Sequence, residues 1–127
     1  MNPRMRPLRC VIVDDNPHFI VTATNLLERE GIFVVGSTTT SAEALDCVER
    51  LRPDVTLIDV DLGADSGFDV VEQIHQCASP GATRALLLIS AHAEADIAEM
   101  VAASPAVGFV PKLVLSAAAI RELLGCG

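Results

Sequence analysis

The stretch Val55-Thr56-Leu57-Ile58-Asp59-Val60, with Asp61 directly after it, decides the fold. It is a nearly unbroken apolar run rich in β-branched residues, the composition of a strand covered on both faces, and such strands belong to parallel sheets flanked by helices. Upstream, residues 8–13 read as a first buried strand. Asn16-Pro17 then starts a helix, with Asn as cap and Pro in the first turn, and Gly31 stops it. Residues 32–35 read as the second strand, and Thr40-Ser41-Ala42-Glu43 is a capping box opening a helix that Pro53 ends. Downstream, Ser66-Gly67-Phe68-Asp69 is a second capping box. Residues 85–89 form the fourth strand, 93–103 the fourth helix, 107–110 the fifth strand and 116–124 the last helix. Leu26, Ile74, Met100 and Leu123 mark the helix stripes expected to face the core. Five strands alternating with five helices predict a parallel α/β sheet with right-handed crossovers and helices on both faces.

Composition narrows the function. The 127 residues fill one domain, half of them hydrophobic and 20% charged, which excludes disorder. A net charge of −8 argues against a nucleic-acid or anionic-membrane surface, and four Phe with no Trp or Tyr leave little for base or sugar stacking. Cys10, Cys47, Cys77 and Cys126 form no CxxC pair and read as idle thiols of a reducing compartment, and His75 with Cys77 lacks partners at zinc spacing. The glycines match no nucleotide-binding pattern, and Gly63 and Gly67 read as turn residues. The longest apolar run, residues 85–89, is too short to span a membrane, so a cytoplasmic protein without a membrane partner is expected.

In open α/β sheets, ligands bind beyond the carboxyl ends of the strands. The first strand delivers Asp14 and Asp15 there, the third Asp59 and Asp61, the fourth Ser90, and the fifth Lys112, the chain's single lysine. Four carboxylates against one ammonium leave roughly −3 in a small volume, a charge that a divalent ion offsets. Carboxylate oxygens with room for water suit magnesium. Phosphoryl chemistry follows: one carboxylate attacks phosphorus, the metal and the ammonium offset charge on the equatorial oxygens, and the hydroxyl bonds one of them. Each residue alone also has a plain reading. The acidic pair suits a solvated turn, Ser90 a loop hydroxyl, Lys112 the surface and Phe109 the core. Spacing does not decide between Asp59 and Asp61 as nucleophile. His18, His75 and His92 lack the company of a catalytic triad.

Taken together, Val13-Asp14-Asp15, Leu57-Ile58-Asp59-Val60-Asp61-Leu62, Ser66-Gly67-Phe68-Asp69, Ile89-Ser90-Ala91 and Gly108-Phe109-Val110-Pro111-Lys112 resemble the receiver domain of bacterial two-component response regulators. The resemblance implies a flavodoxin-like (βα)5 fold with strand order 2-1-3-4-5, a receiver domain over residues 8–124, a flexible arm at 1–7 and a tail at 125–127. It makes Asp59 the phosphoacceptor. Asp14, Asp15, Asp59 and the Val60 backbone carbonyl become the magnesium ligands, with manganese as the alternative ion. Lys112 becomes the phosphate-pairing ammonium, Ser90 the switch hydroxyl and Phe109 the switch aromatic that moves inward on phosphorylation. Asp61 and His92 flank the path of attacking water in the family and are expected to tune the lifetime of the acyl phosphate.

The implied partners are a sensor histidine kinase or phosphotransfer protein and a downstream protein. The implied output face is helix four, strand five and helix five, which also offers a homodimer surface. The chain is expected to phosphorylate itself and lose the phosphate slowly, without turning over a substrate as an enzyme. No basic stretch or helix-turn-helix follows Leu124, so direct nucleic-acid contact is not expected and a stand-alone or clipped domain is. Two rivals remain. One is the receiver of a longer DNA-binding regulator. The other is an aspartate-nucleophile phosphohydrolase of the haloacid dehalogenase type, suggested by the D-x-D form of Asp59-Val60-Asp61. Chain order opposes the second, because there the D-x-D strand comes first.

Overall fold

The computed structural model describes residues 7–91 and 94–125. Its strands are β1 (Leu8–Val13), β2 (Ile32–Thr38), β3 (Val55–Asp59), β4 (Asp61–Leu62), β5 (Asp65–Ser66), β6 (Ala85–Ser90) and β7 (Gly108–Pro111). Its helices are α1 (Pro17–Arg29), α2 (Ser41–Leu51), α3 (Gly67–Cys77), α4 (Glu94–Ala103) and α5 (Ala117–Leu123), with a 3-10 turn at Lys112–Val114. Five strands form one parallel sheet in the order β2-β1-β3-β6-β7, which over the sheet strands alone is the expected 2-1-3-4-5. This is the parallel α/β sheet that the residue pattern predicts, in the flavodoxin-like order that the resemblance implies.

Strand alternation explains the two cores. Val11, Val13, Ile58, Leu86 and Leu88 point to one side and pack with α2, α3 and α4. Cys10, Ile12, Val55, Leu57, Leu87 and Ile89 point to the other and pack with α1 and α5. Every residue of β3 and β6 is buried, as a centre strand covered on both faces requires. Burial pushes the Cys10 thiol to about 12, which leaves it inert at neutral pH.

The helix signals hold in part. Asn16 caps α1 by accepting from the N–H groups of His18 and Phe19, and Gly31 ends it at φ +93°. Ser66 accepts from Phe68 N–H at the start of α3. Thr40 departs from the capping box: its hydroxyl donates to the Glu43 carboxylate, and no side-chain bond caps the first N–H groups of α2.

Four expectations change. β2 runs on to Thr38, with a register shift opposite Cys10 and Val11 that skips Val35. β3 stops at Asp59, and Val60 turns the chain into a small antiparallel ribbon, β4 with β5. Gly67 is no turn glycine: a Cβ there would lie 2.0 Å from the Asp59 carbonyl oxygen. Of the four core markers, Ile74 is buried, but Met100 is 53% exposed and Leu123 38%. The core-facing stripe of α4 runs instead through Ile97 and Val101.

Candidate functional site

The carboxyl edge of the sheet gathers the predicted residues. Asp14 N–H donates to Thr38 carbonyl at 3.0 Å, which extends the ladder one residue past β1 and holds Asp14 fully buried. Asp59 closes β3 beside Ile89 of β6 and is also buried. Asp15, on the turn into α1, is exposed. One carboxylate oxygen from each of Asp14, Asp15 and Asp59 lies within 4.8 Å of the others.

Lys112, just past β7, completes the group. Its Nζ lies 2.8 Å from Asp14 Oδ2 and donates to Asp59 Oδ2 at 3.2 Å. The Asp14 contact falls outside hydrogen-bond angles, so this buried oxygen has charge compensation without an aligned donor. The other Asp14 oxygen accepts from Asn16 N–H at 2.9 Å, and Asp59 Oδ1 accepts from Asp61 N–H at 3.2 Å.

Two buried acids share one ammonium, and the energetics follow. Burial, then the Asp14 charge, pushes the Asp59 carboxyl up to about 6 against the pull of Asp61 N–H and Lys112. Burial pulls the Lys112 ammonium down, but its close contact with Asp14 and the charges of both acids outweigh that and hold it above its ordinary value. The site is short of positive charge. An all-carboxylate donor set, one of whose buried oxygens has no aligned donor, fits a hard divalent cation.

The remaining predicted residues fall as follows. Ser90 is fully buried at the end of β6, opposite Pro111. Phe109 already sits inward, 8% exposed, in the core shared with α4. Asp61 is exposed on the ribbon. His92 lies outside the described residues. The Val60 carbonyl accepts from Gly67 N–H at 2.7 Å, so its oxygen is engaged toward the start of α3.

Sequence reading missed two residues. Phe19, read only as part of the α1 stripe, places its ring centroid 4.4 Å below Lys112 Nζ, a cation–π contact that gives the ammonium a third partner. Gly67 lets α3 begin against the Asp59 backbone. An aromatic one turn after an acidic pair was a usable signal for the first; the second stands in the Ser66-Gly67-Phe68-Asp69 motif but reads there as a turn residue.

A sequence model of the response regulator receiver domain matches residues 10–124. The chain is 30% identical over 105 residues to the DNA-binding transcriptional activator EvgA of Escherichia coli K12, covering 83% of this chain and 50% of that protein. It is 32% identical over 126 residues to the transcriptional regulatory protein NarL of Mycobacterium tuberculosis, covering 98% of this chain and 57% of that one. It thus spans about half the length of the curated relatives it matches. The solved signal receiver domain of the M. tuberculosis NarL superposes with a TM-score of 0.79 at 29% identity, covering 95% of this chain and 96% of that domain.

Proposed function

This chain belongs to the response regulator receiver domain family, and from that premise we propose that it is a phosphoryl-accepting switch over residues 8–124, with Asp59 as acceptor. The observation that carries the reading is the junction of Asp14, Asp15, Asp59 and Lys112, brought to one point from three strands and a turn. An Asp59 carboxylate oxygen attacks phosphorus of the phosphodonor, the bond from phosphorus to the donor's leaving group breaks, and an acyl phosphate remains. Lys112 needs only a small displacement to pair with the new phosphoryl oxygens, and Ser90 donates its hydroxyl to one of them.

Asp14, Asp15 and Asp59 are the residues that would hold magnesium, or manganese in its place. The Val60 carbonyl accepts from Gly67 N–H and keeps a second lone pair, so its backbone oxygen would join them. The bound ion supplies charge neutralisation at the phosphoryl oxygens. Once Lys112 and Ser90 are drawn to the phosphate, β7 and its neighbours α4 and α5 shift, with Phe109 as the packing element that follows Ser90. Asp61 and His92 set how long the acyl phosphate survives. The donor is a histidine kinase, a phosphotransfer protein or a small acyl phosphate, and the cytoplasm is the setting for such a donor. No helix among the described residues is long and apolar enough to cross a membrane.

Mass spectrometry after incubation with acetyl phosphate and magnesium tests the reading. The wild-type chain gains one phosphoryl group and releases acetate; Asp59→Asn gains none. A gain retained in Asp59→Asn, or none in wild type, overturns it. The decay of the adduct in Asp61→Asn and His92→Ala reads the lifetime roles directly, and unchanged lifetimes remove them. The length of the curated relatives favours a second reading, in which this receiver controls a DNA-binding segment of a longer protein; the intact mass of the native gene product distinguishes the two.

A further inference from the structure

We propose that the groove between α3 and α4 is a docking surface for a basic amphipathic helix of a partner protein. The inference does not depend on the phosphoacceptor reading. A cavity of about 430 Å³ lies between the β4–β5 ribbon, the start of α3 and α4, with Val60, Phe68, Ile97 and Met100 as its apolar lining. A second, of about 230 Å³, continues it along the two helices and shares Phe68 and Met100.

Met100 is the decisive residue. It stands off the core-facing stripe of α4 and leaves half its surface in water, where an unbranched thioether is a costly but adaptable lining. From Ile97 to Ala103 the groove follows α4 for seven residues, roughly 10 Å, which is about two helical turns. A helix presenting apolar side chains at i, i+3 or i+4, and i+7 fills that length.

Charge selects the partner. Asp61, Asp65 and Asp96 rim the first cavity and Asp69 and Glu72 the second, and the described lining residues include no Lys, Arg or His. Five carboxylates around an apolar floor repel nucleic acid, anionic lipid headgroups and a second copy of this chain, whose own net charge is −8. Lysines or arginines flanking an apolar stripe complement both walls at once.

The test is a titration of the full chain, without magnesium or phosphodonor, followed by amide NMR. The probe is a synthetic helical peptide of about 18 residues with leucines on one face and lysines elsewhere. Shifts are expected to concentrate on α3, α4 and the ribbon. Affinity should fall about tenfold in Met100→Gln and again in Asp65→Lys/Asp96→Lys. It should stay within about twofold in Asp46→Lys/Glu122→Lys, which changes net charge equally on other surfaces. A version of the peptide with glutamates for lysines should not bind. The proposal is overturned by an absence of binding, by shifts spread over the molecule, by equal losses in both charge-reversal pairs, or by an unaffected Met100→Gln chain. It is equally overturned if sedimentation shows a dimer that Met100→Gln dissolves, since the groove is then occupied by a second copy.

Discussion

Strand β3 has a buried aspartate at each end, and the two are built to opposite purposes. Asp54, just before the strand, is 5% exposed and accepts from Arg9 N–H at 2.8 Å, with the Arg84 guanidinium 4.0 Å away at the surface. Its backbone continues the ladder as well, donating to the Arg9 carbonyl and accepting from Ala85 N–H. Asp59 is equally buried, but it faces a second buried carboxylate across one ammonium. Residue type, burial and strand are the same; what differs is whether the fold supplies enough positive charge. At the amino end it does, and the carboxylate ties strands together. At the carboxyl end it does not, and the deficit is what a divalent cation would offset.

The largest expected effect comes from the backbone that supports the deficient end. Gly67→Ala puts a Cβ 2.0 Å from the Asp59 carbonyl oxygen and 2.8 Å from Val60 Cα, both main-chain atoms that no rotamer can move aside. A loss of about 3 kcal/mol in urea denaturation is expected, because overpacking against backbone is not relieved locally. A cost below about 1 kcal/mol would show that α3 can withdraw from β3 freely, and that the geometry around Asp59 is looser than its burial indicates. Next is Asp54→Ala, which leaves Arg9 N–H without its acceptor. About 2 kcal/mol of destabilisation at neutral pH is expected, as for other hydrogen bonds to a buried charged group.

These two positions also show what the sequence could and could not reveal. The sheet was legible because β3 and β6 are nearly continuous apolar runs and Asn16, Gly31 and Ser66 punctuate the helices by local chemistry alone. The β4–β5 ribbon was not, since pairings of two residues leave no periodic signal. β2 ran past its expected end because Gly36-Ser37-Thr38 offers no apolar run and takes its strand pairing from β1 beside it. Met100 was misplaced because helical spacing identifies a stripe without saying which of two adjacent faces meets the core. In the site, the acids and Lys112 were legible from strand ends. Gly67 and Phe19 were not, because their importance lies in a main-chain approach and a ring contact that only the folded chain creates.

Asp59→Asn should act with the opposite sign to Asp54→Ala. The Asp59 carboxyl, ordinarily at 3.8, is raised to about 6 by burial and by Asp14. A raised acid means the folded chain binds more protons than the unfolded one between these values. Its contribution to stability therefore falls as pH rises through about 4 to 6. Removing the charge while keeping the shape recovers that loss, less the bond from Lys112. In metal-free buffer the variant is expected to be more stable than wild type by about 1–2 kcal/mol at pH 7, with the advantage shrinking toward pH 4. Denaturation midpoints across that range check it. An Asp59→Asn chain less stable than wild type at pH 7 would mean the two ends of β3 are alike after all.

The smallest effect sharpens the comparison from the cation's side. At the amino end the positive group is the Arg84 guanidinium at the surface; at the carboxyl end the ammonium is partly buried and rests 4.4 Å over the Phe19 ring. A ring face stabilises a cation without neutralising it, so Phe19 holds Lys112 in place while leaving its charge available to an incoming anion. Leucine keeps the apolar volume and removes the quadrupole. Phe19→Leu should slow phosphoryl uptake from acetyl phosphate about threefold, equivalent to roughly 0.7 kcal/mol, while Phe19→Tyr retains the wild-type rate. Equal rates in Phe19→Leu and wild type would mean that Asp14 and Asp59 alone position the ammonium. A deficit shared by the tyrosine variant would point to packing instead of the ring's charge distribution.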